Sequence, residues 1–134
     1  MEGSLLYVSR RLASPADVQD IVSASRVRNA RLQVTGALVA CEDRFAQILE
    51  GPRPGVDALM DSISRDRRHA DVDVLLYDDI ERRRFPGWSL AYSGASVFVD
   101  GLIRALADRP SSEPDPHHLR RLINIMQEFA RAVD

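Results

Sequence analysis

The residues of this chain that could do chemistry are few and scattered. Tyr7 sits in a short apolar run near the start and Gln47 in another well downstream, with Ser25 and Asn29 between them. Glutamine and asparagine both donate and accept hydrogen bonds. With Ile21 and Ile63 as apolar walls, such groups suit a planar aromatic ligand with an amide-like edge, because the walls take the rings and the few polar groups fix their orientation. Each residue also fits a plain structural role. A tyrosine on a central strand packs in a core with its hydroxyl bonded to backbone. An inward asparagine caps or bridges backbone groups, and a strand glutamine can sit at a sheet edge. Composition and spacing alone define an α+β domain with a candidate polar pocket.

Fold order has to bring these groups together. Leu5 to Ser9 alternates, with Leu5, Tyr7 and Ser9 on one face and Leu6 and Val8 on the other, which predicts a first strand. Ser14-Pro15 opens a helix: serine is a good N-cap, proline fits the first helical position, and Asp17 suits the positive helix end. Its apolar stripe, Val18, Ile21 and Val22, is extended by Ser25 and Asn29. Polar residues on a buried stripe need partners. Val34 to Cys41 and Phe45 to Leu49 read as strands joined tightly at Glu42-Asp43. Phe45, Gln47 and Leu49 share one face of the latter, and apolar residues on its other face predict a sheet covered on both sides. Gly51-Pro52-Arg53-Pro54-Gly55 breaks the strand. A second helix follows, with Val56, Leu59, Met60 and Ile63 as its stripe, closed by Asp66-Arg67-Arg68-His69. Val72 to Tyr77 and Trp88 to Ser93 read as the last two strands.

The order βαββαββ predicts an α+β, ferredoxin-like sandwich with a five-stranded mixed sheet. Helical crossovers joining parallel neighbours, plus a hairpin, would place both helices on one face. Strands 1 and 3 would be central neighbours, so Tyr7 would meet Gln47 beneath the helices. Val97 to Leu106 has weak helical spacing, and Arg109 to Pro116 is a linker rich in proline and serine. Leu119, Leu122, Ile123, Met126, Ala130 and Val133 form a strong amphipathic helix that either covers the open sheet face or pairs with a second subunit. The expected division is residues 1–95 as one domain and 96–134 as a helical extension.

Composition excludes several classes. A chain of 134 residues with 45% hydrophobic content suits one packed domain rather than disorder. The net charge of −2 does not argue for a polyanion partner. The one cysteine, Cys41, makes neither an internal disulfide nor a four-ligand metal site. It reads as a small core residue. No apolar run approaches the roughly 18 residues of a membrane span, and the N-terminus lacks a secretory pattern, so a cytoplasmic protein is expected. The arginines at 65–68 and 82–84 are interleaved with Asp66, Asp71, Asp78, Asp79 and Glu81. With no exposed aromatic platform, they do not read as an RNA surface. Arg10-Arg11-Leu12-Ala13 is not the phosphate-cradling glycine loop that a small hydrolase of this topology would need.

Five motifs add a resemblance. Tyr7-Val8-Ser9 resembles the Tyr-x-Ser start of BLUF domains, the blue-light sensors using FAD. Asn29 followed by Thr35-Gly36-Ala37-Leu38 is similar to their Asn and Thr-Gly-x-Leu. Phe45-Ala46-Gln47-Ile48-Leu49-Glu50-Gly51 resembles Phe-x-Gln-x-Leu-Glu-Gly. Ile63 to His69 resembles Ile-x-x-Asp-x-Arg-His, and Arg84 to Ser89 resembles Arg-x-Phe-x-x-Trp-Ser. The motifs fall in family order across about residues 5 to 93, and the set is specific where no member is.

The resemblance implies a non-covalently bound flavin, FAD by family habit with FMN as the alternative. It implies that Tyr7 gives an electron to the excited flavin and that Gln47 lies between Tyr7 and flavin N5. Asn29 would bond the flavin edge, Ile21, Phe45 and Ile63 would wall the pocket, and Arg68 and His69 would stand near the ribityl and phosphate end. Arg28, Ser25, Leu38 and Asp66 complete the implied binding set, and Trp88 matches the strand-5 tryptophan. Light would leave the Gln47 amide rotated or tautomerised, with a new hydrogen bond to the flavin carbonyl and a red-shifted spectrum. One position departs from the pattern: Leu90 stands where most members carry methionine, so strand 5 lacks that weak sulfur acceptor. The implied protein is a sensor and not an enzyme. It would pass its signal to a separate protein or through a homo-oligomer of two or more copies, with neither nucleic acid nor membrane as partner. A ferredoxin-like nucleic-acid or protein-binding module without flavin is the alternative.

Overall fold

A computed structural model describes residues 2–87, 90–94 and 96–132. Trp88, expected in the photochemistry, lies outside the described residues. Strand β1 (Glu2–Arg11) is followed by α1 (Pro15–Arg31), the hairpin β2 (Thr35–Ala40) and β3 (Arg44–Pro52), α2 (Arg53–Arg65), β4 (His69–Ile80), β5 (Ala91–Gly94), α3 (Val97–Ala107) and α4 (Pro116–Ala132). The sheet order is β4-β1-β3-β2-β5. The first four strands pair antiparallel, and the four-residue β5 joins the β2 edge in parallel.

The expectation that crossovers join parallel neighbours is corrected. Each crossover skips a strand: β1 and β2 are separated by β3, and β3 and β4 by β1. The strands that touch at the centre therefore run in opposite directions.

Alternation along the strands explains the layers. Leu5, Tyr7, Leu38, Ala40, Phe45 and Leu49 pack toward α1 and α2 with Val18, Val22, Val56 and Leu59. Leu6, Val8, Ala37, Val39, Ala46 and Ile48 pack on the other side with Leu102, Ile103, Leu122 and Met126. So α3 and α4 cover the second face within the same chain, which resolves the choice left open for the amphipathic C-terminal helix.

Local chemistry fits each element. Ser14 caps α1 in a full capping box, its hydroxyl accepting from the Asp17 N–H at 3.1 Å while the Ser14 N–H donates to the Asp17 carboxylate at 3.0 Å. Gly36 lets β2 lie close to β3, since a Cβ there would stand 1.9 Å from the Ile48 carbonyl oxygen. β3 ends at Pro52, inside the Gly51–Gly55 stretch expected to break it, and Gly55 is already helical. It lies inside α2, where it faces the Leu32 carbonyl at a distance of 3.1 Å from a would-be Cβ, so close helix packing is its reason.

Candidate functional site

Tyr7 on β1 and Gln47 on β3 are direct cross-strand partners. The Tyr7 hydroxyl donates to Gln47 Oε1 at 2.5 Å, and both side chains are buried. Burial, followed by the Asp66 charge and partly offset by Arg28, raises the Tyr7 pKa well above its ordinary value, so the phenol stays protonated at any physiological pH. The phenol uses the carbonyl of the Gln47 amide, which leaves the NH2 end to donate to a ligand.

This pair lies at a cleft of about 60 Å³ between α1 and α2. Ile21, Leu38, Phe45 and Ile63 give it apolar walls, and Ser25, Arg28, Asp66, Arg68 and His69 supply polar groups. Ala24 also lines it and was missed, although its place a turn after Ile21 and a turn before Arg28 on one helix edge was available as a signal. Asn29 is buried at the end of the same α1 stripe but is not among the lining residues.

The polar groups differ in what they have left to offer. Asp66 grips Arg68 through both carboxylate oxygens, at 3.0 Å to Nε and 2.7 Å to a terminal nitrogen, and also accepts from the Arg68 backbone N–H at 3.0 Å. The bonds from Arg68 hold the Asp66 carboxyl below its usual range despite desolvation. His69 is anchored at both ring nitrogens. Nε2 faces the Ile63 carbonyl oxygen at 2.5 Å, so it carries the proton, and in the neutral ring Nδ1 accepts from Ser9 Oγ at 2.9 Å. The ring also stands edge-on to Tyr7 and Phe45. Arg28 donates to Ser62 Oγ at 2.9 Å, which ties α1 to α2, while its buried Nε has no hydrogen-bond partner among the described residues. A buried donor of this kind in a cleft lining is costly unless something accepts from it. The donor set and the apolar walls therefore fit a flat heteroaromatic ring with carbonyl oxygens at its edge, as a flavin has.

Sequence reasoning also missed Glu50. Its side chain is fully buried on the α4 side of β3 and holds the loop after β4. Oε1 accepts from the backbone N–H groups of Arg84 at 2.6 Å and Phe85 at 3.2 Å, and Oε2 accepts from Ser4 Oγ at 2.8 Å. Arg84 stands 3.6 Å from the same carboxylate. The Glu50 position within the third motif was the available signal.

Comparison with known proteins agrees with this geometry. The family model of BLUF, sensors of blue-light using FAD, matches residues 3–91. The chain belongs to the BLUF family of blue-light sensors. The solved dark-state structure of BlrB, a BLUF protein, superposes with a TM-score of 0.79 at 37% identity, covering 95% of this chain and 96% of that one. Klebsiella pneumoniae BlrP1, solved with FMN and cyclic diGMP, is 31% identical with a TM-score of 0.66 over 70% of this chain and 26% of its own. The photoactivated adenylate cyclase subunit beta of Euglena longa is 36% identical over 90 residues, which is 65% of this chain. This chain spans 10% of that relative's length. Among the described residues, no helix is long and apolar enough to cross a membrane.

Proposed function

We propose that this chain senses blue light through a flavin held between α1 and α2, with Tyr7 and Gln47 as the switching pair. The observation that carries the reading is the buried 2.5 Å hydrogen bond from Tyr7 to Gln47 at the cleft. When bound, a flavin supplies blue-light absorption and an acceptor for one electron. Tyr7 keeps its proton on a bond aimed at the Gln47 carbonyl, so loss of an electron from the phenol has a proton acceptor already in place. Gln47 can exchange its donor and acceptor ends at little steric cost, and its neighbours must then re-pair. Ile21, Leu38, Phe45 and Ile63 exclude water from the ring, Arg28 supplies a donor, and Ser25 completes the α1 side, with Asn29 buried at the end of the same stripe as the further group proposed to bond the flavin edge. Asp66, Ser9 and Ile63 hold Arg68 and His69 in place, and in this reading the two stand near the ribityl end.

The preferred cofactor is FAD, with FMN as the alternative. In this reading, residues 1–95, with β5 as the fifth strand, form the cytoplasmic sensor. Residues 96–134 carry the signal to a separate protein or a second copy, and no substrate is turned over. The test is to purify the protein in darkness, release its chromophore with acid and identify it by chromatography, then record spectra before and after blue light. A yellow protein whose absorption shifts to the red and recovers in darkness is expected. Folded protein that stays colourless after incubation with FAD and with FMN overturns the reading.

A further inference from the structure

The α4 helix carries a polar stripe unrelated to the cleft. Arg120, Asn124, Gln127 and Arg131 recur at spacings of four, three and four, so they share one flank of the helix. A groove runs between this flank and the loop that follows β4. Its two parts, about 420 and 250 Å³, are neighbours that share Arg84 and Gln127 in their linings. Leu76 and Pro86 give the groove accessible apolar surface, with Phe85 and Ile123 buried beneath it.

Among the described residues, four arginines line it and no carboxylate does. Arg83 and Arg84 are paired with Glu2 and with the buried Glu50. Arg120 and Arg131 are exposed and make no ion pair among the described residues. A cationic groove on a chain of net charge −2 runs against the overall balance. We propose that this groove docks an acidic peptide segment of a partner protein, one carrying apolar side chains between its carboxylates. Charge complementarity sets the sign of the partner, and the apolar floor selects a peptide over a nucleic acid. Base stacking needs an accessible aromatic face, and Phe85 is only 1% exposed.

The groove also has a physical link to the sensor. Its loop wall hangs on the Glu50 carboxylate, and Glu50 lies on the same strand as Gln47, three residues further on and facing the opposite side of the sheet.

Fluorescence anisotropy with the full-length protein tests the proposal. The probes are a short fluorescein-labelled peptide alternating Glu and Asp with Leu and Phe, the same peptide with Lys for each acid, and a labelled oligothymidylate. The acidic peptide is expected to bind, more weakly as salt rises, and the lysine peptide is not. The double variant Arg120→Glu/Arg131→Glu should weaken the acidic peptide by about tenfold or more, with an unchanged thermal midpoint because both side chains are exposed. Equal binding of the acidic and lysine peptides to the unmodified protein overturns the proposal without any variant. So does acidic-peptide affinity that ignores the charge reversal, or a preference for the oligothymidylate. Flavin content is read separately by absorbance, so a failure here is distinct from a failure of the light-sensing reading.

Discussion

Replacing Tyr7 by phenylalanine removes one oxygen from the cleft and leaves the ring in its hole against Leu5, Leu49, Val56 and Leu59. No apolar burial is lost. What goes is the donor to Gln47 Oε1. A neutral hydrogen bond contributes about 0.5–1.5 kcal/mol net, while a buried carbonyl left without a donor costs about 1–3 kcal/mol. Gln47 is 5% exposed, so water has little access to the orphaned oxygen. We therefore expect a loss of about 2 kcal/mol. For a domain of this size that lowers the thermal midpoint by about 6–10 °C. The double variant Tyr7→Phe/Gln47→Leu removes both partners and should recover most of the loss, giving a coupling of about 1–2 kcal/mol. Denaturant titration of the four flavin-free proteins in darkness measures every corner of the cycle. Additive penalties would refute the reasoning, since two residues that do not interact cannot rescue one another. With flavin bound, Tyr7→Phe should stay yellow and lose the red shift, and a normal shift would remove Tyr7 from the photochemistry.

The other expectations follow from single contacts. Asn29→Ala should weaken flavin binding by roughly 1–3 kcal/mol, and unchanged affinity in a titration would confine Asn29 to a structural role. Leu90 packs with Val18, Val22, Leu38 and Phe45, so Leu90→Met should cost under about 1.5 kcal/mol yet change the rate of dark recovery; identical kinetics would separate this position from the photocycle. Glu50→Gln keeps the shape but puts an amide nitrogen before the Ser4 hydroxyl and Arg84 guanidinium or turns one toward the loop N–H groups. We expect a loss of about 3 kcal/mol by chemical denaturation, and a loss under about 1 kcal/mol would mean that the loop does not depend on the charge. The Asp66 carboxyl is held below its ordinary value in the folded state, chiefly by the hydrogen bonds from Arg68, so its pair with Arg68 is fully stabilising above the unfolded pKa and is lost as pH falls through the lower folded one. Asp66→Asn should therefore differ from the parent at neutral pH and converge with it in acid, and parallel stability curves through the acid range would contradict this.

Much of the fold was legible because the strands alternate. Leu5, Tyr7 and Ser9 could be assigned to one face and Leu6 and Val8 to the other without coordinates, and the fold order then set Tyr7 against Gln47. Helix α1 was legible from Ser14-Pro15 and Asp17, since caps act over a few residues. The misreadings concern long-range partners. Strand direction at the sheet centre depends on which strand is skipped, and no local pattern reports that. The strand break at Gly51–Gly55 was legible, but the close packing that Gly55 allows is visible only with Leu32 against it. Glu50 looks like a strand-end surface acid, and only the arrival of Arg84 and Phe85 from a distant loop explains why a carboxylate is buried there.

Helix α1 does more than wall the cleft. Arg26, between the lining residues Ser25 and Arg28, donates from Nε to the Leu90 carbonyl at 3.1 Å, one residue ahead of β5. The strand that follows has four residues and a single recorded neighbour in the sheet, so its position depends on the helix as well as on backbone pairing. A ligand that parts α1 from α2 moves the anchor of that strand along with the wall. The edge of the sheet is thus tied to the cleft by a side chain as well as by the backbone, and a displacement of α1 would be felt four strands away from β4.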